Sequence, residues 1–214
     1  MNPSLSKVSL IIGSGEDVPL DPPIFAQGHH PLVICADGGA ALARKWGLIP
    51  AIIIGDLDSL DQETKEYWQG ENIPFHRVSA AKDESDMDLA VSYALQRGAR
   101  RITLVGGWGS RIDHSLGNVE LLYRLAQEKI ENRLLTKEHQ LSAFTGEFRA
   151  KVVKGSYVSL IPLSEEVRGV TTRGLLYPLE QATLRKGSTL TISNVACEAE
   201  IFLQSDDGVL FVVW

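Results

Sequence analysis

Ala51-Ile52-Ile53-Ile54-Gly55-Asp56-Leu57-Asp58-Ser59 is the stretch that decides the fold. Four apolar residues, three of them isoleucine, run without a polar side chain. A strand with one wet face would alternate apolar and polar residues; a strand covered on both faces of a parallel sheet does not. The run then stops at a glycine and presents two acids two residues apart. Val8-Ile12, Leu32-Ala36 and Ile102-Val105 are of the same kind. Between them lie helical patterns. Met87, Ala90, Val91, Ala94 and Leu95 share one face of a helix over Asp86–Arg97, and Leu116, Val119, Leu122, Tyr123 and Ala126 do so over Asp113–Glu128. Strands alternating with helices imply right-handed crossovers and an open parallel-sheet α/β domain.

Past about residue 132 the helical periodicity ends. Lys151-Val153, Tyr157-Pro162, Val167-Thr172, Thr189-Ser193, Glu198-Leu203 and Val209-Trp214 are short runs separated by Gly, Ser and Asp. Regular short strands with turn signals predict an all-β sandwich. With the boundary near Arg133–Glu138, residues 1–135 form an α/β domain and residues 136–214 a β-sandwich domain. One larger and one smaller domain suit a chain of 214 residues.

Apolar residues make up 44% and charged residues 22%, the balance of a soluble globular protein. The formal net charge of −6 argues against a nucleic-acid surface, which needs a basic stripe. It leaves room for a nucleotide, provided Mg²⁺ stands between carboxylate and phosphate. Two cysteines, Cys35 and Cys197, make no disulfide framework or zinc site. The apolar run Val8–Ile12 is too short for a membrane span or a signal-peptide core, so a cytoplasmic location is the expectation.

The chemistry-bearing residues follow the strands. In extended chain, side chains at i and i+2 point the same way, so Asp56 and Asp58 can converge on one hard cation. The bland alternative is a loop of solvated carboxylates capping the next helix. Lys82-Asp83-Glu84-Ser85-Asp86-Met87-Asp88 is a second acidic cluster. Ser85 with Asp88 reads as a helix cap, which leaves Asp83 and Asp86 for a cation. Gly106-Gly107-Trp108-Gly109-Ser110-Arg111-Ile112-Asp113-His114 follows the last apolar strand and opens a helix. Its glycines let backbone approach a phosphate, and Arg111 adds a fork of donors. The plain readings are a surface charge for Arg111, an N-cap for Asp113 and a structural hydrogen bonder for His114. Asp37-Gly38-Gly39 closes the strand Leu32–Ala36 in the same manner. In open α/β sheets, ligands bind at the carboxyl ends of the strands.

Taken together these loops resemble the thiamine pyrophosphokinase family. The matching stretches are Ala36-Asp37-Gly38-Gly39-Ala40, Gly55 to Ser59, Asp83 to Asp86, Gly106 to His114 and on to Asn118, Arg173-Gly174-Leu175-Leu176-Tyr177-Pro178-Leu179, and Ile192-Ser193-Asn194. They occur in order over nearly the whole chain. The resemblance implies a nucleotide-binding α/β domain, a thiamine-binding β-sandwich and a homodimer with shared sites. It implies transfer of pyrophosphate from ATP to thiamine, giving AMP and thiamine diphosphate. By similarity Asp56, Asp58 and Asp86 hold Mg²⁺ with Asp83 close by. Asp37, Gly38, Gly39, Lys82, Asp83, Ser85, Gly106, Gly107, Arg111 and His114 surround the nucleotide. Asp37, Arg111 and Asp113 line the nucleotide or the reacting hydroxyl, Asp113 being counted with the substrate, and Ser193 and Asn194 touch thiamine. Asp56, Asp58, Asp86, Arg111 and Asp113 form the catalytic set.

Three positions depart from the family pattern. Lys82 stands where glutamine is frequent, and Ser110 where glycine is. Val195-Ala196-Cys197 follows Ser193-Asn194 where many members carry an acid and an aromatic ring, which leaves Trp108 or Trp214 as stacking candidates. The rival readings are a pyrophosphokinase with a pterin-type alcohol as acceptor, a non-catalytic nucleotide or thiamine sensor, and a Mg²⁺-dependent nucleotidyltransferase.

Overall fold

The computed structural model describes residues 7–25, 31–79 and 83–214; Lys82 lies outside them. The chain divides into two compact units. The first runs through Asn118 and includes Leu134–Glu138; the second takes Val119–Arg133 and His139–Trp214.

The first unit is built from β1 (Val8–Ile12), β2 (Leu32–Ala36), α1 (Gly39–Lys45), β3 (Ile52–Gly55), α2 (Gln62–Gly70), β4 (Phe75–Arg77), α3 (Asp86–Gln96), β5 (Arg101–Val105) and the start of α4 (Ile112–Gln127). Its strands lie in the order β5-β1-β2-β3-β4, all parallel. β1 and β3 are buried at every position, as their unbroken apolar runs require. One core gathers Leu10, Ile12, Val33, Cys35, Ile53 and Val105 from the strands with Ala40 and Ala43 of α1 and Trp68 of α2. The Trp68 indole N–H donates to the Ala40 carbonyl at 3.0 Å and ties α2 to α1. α3 packs on β1, β2 and β3 and buries Met87, Ala90, Val91 and Ala94, the face its periodicity marked.

β6 (Glu131–Leu135) spans the division between the units. The second unit continues with β7 (Gln140–Phe144), β8 (Glu147–Lys151), β9 (Tyr157–Pro162), β10 (Glu166–Arg173), β11 (Ala182–Arg185), β12 (Asn194–Val195), β13 (Glu200–Gln204) and β14 (Leu210–Val213). Two antiparallel layers, β12-β9-β14-β7 and β11-β10-β13-β8, enclose one core. Val158, Leu160, Leu210 and Val212 come from one layer and Val167, Val170, Leu184, Ile201 and Leu203 from the other. Two-faced strands make the alternation visible in β9 and β13. The expected α/β domain plus all-β sandwich is therefore the fold.

Two local readings change, and one strand is added. Thr189–Ser193 is a turn rather than a strand. Thr191 pairs with Leu160 through both backbone and side chain, but Ser193 takes a left-handed φ of 60° that ends any extension. The strand near Lys151–Val153 lies earlier, at β8. The short edge strand β4 is only half-buried at Phe75 and exposed at His76 and Arg77, so it carries no apolar run to betray it.

Candidate active site

The loops after β1, β2, β3 and β5 and the segment entering α3 carry the chemistry of the first unit. Gly55 makes the first approach possible. A β-carbon there would meet Asp37 Cβ at 2.9 Å, so a bare glycine at the end of β3 lets the Asp37 side chain sit against it. Asp37 itself is held at a φ of 45°, a conformation aspartate tolerates better than most residues.

Carboxylate oxygens of Asp37, Asp56 and Asp58 lie within 4.8 Å of one another. Asp56 and Asp58 do converge, but not by extended geometry. Leu57 between them has a φ of 67°, and the Asp58 N–H donates to Asp56 Oδ1 at 3.2 Å. A tight turn, rather than strand alternation, puts the two acids on one side. The Ser59 hydroxyl donates to Asp58 Oδ1 at 3.1 Å. Asp37 is 5% exposed, and its Oδ1 has no hydrogen-bond partner. Burial pushes its carboxyl above the usual aspartate range. The Ser59 hydroxyl opposes this, and the negative charges of Asp86, Asp56 and Asp58 add to it. An orphaned buried oxygen amid like charges is a cost that a hard, oxygen-seeking divalent cation removes, so the donor set fits Mg²⁺. Asp86 is near enough to act on Asp37 by charge. Asp83 is exposed and stands outside the three-carboxylate group.

Ser85 is the N-cap of α3, its hydroxyl oxygen accepting the Asp88 N–H at 3.1 Å. The cap fixes where Asp86 begins the helix.

Arg111 and Asp113 meet each other. The guanidinium donates to both carboxylate oxygens at 3.0 and 2.7 Å. That hydrogen-bonded pairing draws the Asp113 carboxyl down to about 2 and raises Arg111. α4 begins at Ile112, so Asp113 sits in its first turn and not at the N-cap. His114 is exposed. The loop is braced from below: Asn118 Nδ2 donates to the Gly107 carbonyl at 2.7 Å, and Ser115 Oγ accepts the Gly109 N–H at 3.2 Å.

The loop after β1, Gly13-Ser14-Gly15-Glu16, escaped the sequence reading. The Gly15 N–H donates to the Gly106 carbonyl at 2.8 Å. Glu16 accepts from the Ser110 N–H and hydroxyl, both at 2.9 Å. Ser110, one of the departures from the family pattern, thus supplies a second bond to Glu16. This loop, with Gly38, Leu42 and Lys45, lines a recess of about 300 Å³. Glycine, glycine and acid directly after the first buried strand was the available signal.

In the second unit Ser193 is exposed, whereas Asn194 is buried. Asn194 Oδ1 accepts the Tyr177 N–H at 3.0 Å and the Val195 N–H at 2.8 Å, and its Nδ2 donates to the Tyr177 carbonyl at 2.8 Å.

An open parallel sheet with a carboxylate cluster at its strand ends, joined to a β-sandwich, defines a two-part nucleotide-type enzyme architecture. Residues 26–134 match the family model described as thiamin pyrophosphokinase, catalytic domain. Residues 145–210 match the one described as thiamin pyrophosphokinase, vitamin B1 binding domain. Thiamine pyrophosphokinase of Bacillus subtilis is 33% identical, the match covering 86% of this chain and 87% of that protein. Thiamine pyrophosphokinase 1 of Arabidopsis thaliana is 26% identical over 86% of this chain and 78% of its own length. Among solved structures, the crystal structure of the B. subtilis protein superposes with a TM-score of 0.86 at 28% identity, covering 96% of this chain and 97% of that one. The Geobacillus thermodenitrificans protein gives 0.82 at 28%, covering 96% of each chain. The chain belongs to the thiamine pyrophosphokinase family.

Proposed function

We propose that this protein transfers pyrophosphate from ATP to the hydroxyl of thiamine, forming thiamine diphosphate and AMP. The observation that carries the reading is the Asp37–Asp56–Asp58 group, set in a chain whose two halves match the catalytic and the vitamin B1 binding models.

Asp37, Asp56 and Asp58, with Asp86 beside them, would hold Mg²⁺. When bound, that ion supplies charge neutralisation to the polyphosphate. The remaining work falls to the protein's own groups. Gly106, Gly107, Gly38 and Gly39 are assigned to the nucleotide on the family resemblance; within the protein the absent β-carbons let Gly106 sit against Gly13, Gly107 against Asn118 and Gly39 against Ile12. Arg111 supplies two parallel donors, the arrangement suited to phosphoryl oxygens. In the free protein Asp113 holds that fork in place, and a phosphate competes with Asp113 for it. A released Asp113 carboxylate is then a group able to accept the hydrogen of an attacking hydroxyl. Positioning and charge stabilisation dominate such a transfer, since phosphoryl transfer leaves little covalent work to the protein.

Ser85 caps the helix that presents Asp86. Asp83, Lys82 and His114 are assigned to the nucleotide on the family resemblance. Ser193 and Asn194 are assigned to the acceptor on the same ground, with residues 136–214 as the thiamine-binding domain and 1–135 as the nucleotide-binding domain. We also propose a homodimer. The exposed Leu176, Leu190 and Ile192 of the second unit support it, being apolar side chains that a partner subunit would cover. Among the described residues no helix is long and apolar enough to cross a membrane. A cytoplasmic site of action rests on the substrates alone.

The test is product analysis of the protein with ATP, Mg²⁺ and thiamine. AMP and thiamine diphosphate in equal amounts are expected. Release of inorganic pyrophosphate would mark a nucleotidyltransferase. Turnover only with a pterin alcohol would move the acceptor, and binding without turnover would mark a sensor.

A further inference from the structure

Arg111 stands in the loop between β5 and α4, its side chain 69% exposed. A second loop, the one that follows β1, is laid along that loop. β1 and β5 are parallel neighbours, with Ile12 opposite Val105, and their pairing continues past both strands. The Gly13 N–H donates to the Val105 carbonyl at 2.7 Å, the Gly15 N–H to the Gly106 carbonyl at 2.8 Å and the Asp17 N–H to the Trp108 carbonyl at 3.2 Å. Glycine permits the close approach. A β-carbon on Gly13 would meet the Gly106 carbonyl oxygen at 2.7 Å, and one on Gly15 would collide with the Trp108 carbonyl.

Glu16 closes this seam with its side chain. Its Oε2 accepts the Ser110 N–H and its Oε1 the Ser110 hydroxyl, both at 2.9 Å. Gly109 makes way for it, since a β-carbon there would collide with Glu16 Oε2. The Ser110 backbone and hydroxyl bonds hold the Glu16 carboxyl below the usual glutamate range, so it is ionised at neutral pH. Ser110 directly precedes Arg111. On the other side, the Arg111 carbonyl accepts the Ser115 N–H at 3.0 Å and the Ser115 hydroxyl at 3.2 Å, and Ser115 is buried. The main chain at Arg111 is therefore fixed from behind by the first turn of α4. From in front it is fixed by a carboxylate 94 residues away from Ser110 in sequence. Both oxygens of that carboxylate are turned to one serine, and a glycine at position 110 would leave only the N–H bond.

We propose that Glu16 is a positioning residue for the transfer: by clamping Ser110 it fixes the backbone from which Arg111 presents its donor fork to the polyphosphate. The inference rests on the nucleotide role proposed for Arg111 above. Asp113 orients the fork through its side chain, whereas Glu16 sets the main chain from which that side chain starts. A loop ordered before the nucleotide arrives loses less freedom on binding, so the clamp acts on ATP and leaves the acceptor alone.

The experiment measures kcat and the KM of ATP and of thiamine by AMP release for the wild type, Glu16→Ala, Glu16→Gln, Arg111→Gln, and Glu16→Ala combined with Arg111→Gln. Glu16→Ala is expected to lower kcat/KM for ATP about fivefold and to leave the thiamine KM within about twofold of wild type. Glu16→Gln should restore kcat/KM for ATP to within about twofold, because its amide can accept the Ser110 N–H and donate to the Ser110 hydroxyl. The double variant should be no worse than Arg111→Gln alone, since one residue acts through the other. Wild-type kcat/KM for ATP in Glu16→Ala overturns the proposal. Losses that multiply in the double variant overturn the route through Arg111, because a general weakening of the fold would persist without the guanidinium. Should Glu16→Ala not fold, Glu16→Asp, one methylene short of Ser110, carries the same expectation. If the wild type forms no AMP with thiamine, the proposed function fails. Glu16 is then decided by calorimetric titration of a non-hydrolysable ATP analogue with Mg²⁺: about fivefold weaker binding by Glu16→Ala supports the clamp, and equal binding overturns it.

Discussion

Asp37 and Asp113 show how differently one residue type behaves in two settings. Asp37 is buried, lacks a partner for Oδ1 and is pushed up; Asp113 is exposed, gripped by Arg111 and drawn down to about 2. The sign for Asp113 follows from its lowered value. Its contribution to folding is fully present above the ordinary aspartate value of 3.8 and is lost as pH falls through about 2. Carbon-detected NMR of the side-chain carboxyl should show a midpoint near 2 in the free protein, moving up toward 3.8 in Arg111→Gln. An unchanged midpoint would mean the pair does not form in solution. For the carboxylate cluster, Asp56→Asn should lower kcat/KM at least about tenfold at fixed Mg²⁺, the scale of roughly 1.4 kcal/mol of lost transition-state stabilisation. Steady-state AMP release measures it, and near wild-type turnover would remove Asp56 from the site.

At the scale of elements, the decisive feature is that each functional loop begins where a buried strand stops. β2 delivers Asp37, β3 delivers Asp56 and Asp58, and β5 delivers Gly106 and Gly107. Helices then anchor the far side of each loop, α3 through its Ser85 cap. Ser85→Ala should destabilise the fold by about 1 kcal/mol, lowering Tm by about 2–4 °C for a protein of this size. Calorimetry with and without an ATP analogue separates the two roles given to Ser85. A Tm loss with the analogue's affinity unchanged leaves Ser85 as a cap alone; weakened affinity as well supports its place at the nucleotide. Both α3 and the buried strands were legible in sequence because their patterns repeat. β4 and the turn at Thr189–Ser193 were not. The first is an exposed edge, and the second is a stretch of alternating hydroxyl and aliphatic residues that a left-handed Ser193 folds back.

For the whole molecule, the proposed homodimer predicts a light-scattering mass of about twice the 23.5 kDa chain at micromolar concentration. A mass near that of one chain would refute it. Dimerisation would also predict protection from hydrogen exchange around Leu190 and Ile192 that fades on dilution.

The sequence by itself determined the parallel α/β sheet, the β-sandwich and the order of the acidic and glycine-rich loops. These depend on which residues are apolar and how often, a property of the linear chain. It also carried the family, through motifs that recur in order from Ala36 to Asn194. Only the tertiary structure joined Asp37 to Asp56 and Asp58, because residues nineteen or more apart meet only when β2 and β3 lie side by side. The same holds for Glu16 on Ser110 and for Asn194 on Tyr177. Hydrogen-bond partners of that kind are chosen by packing, and spacing along the chain carries no record of them.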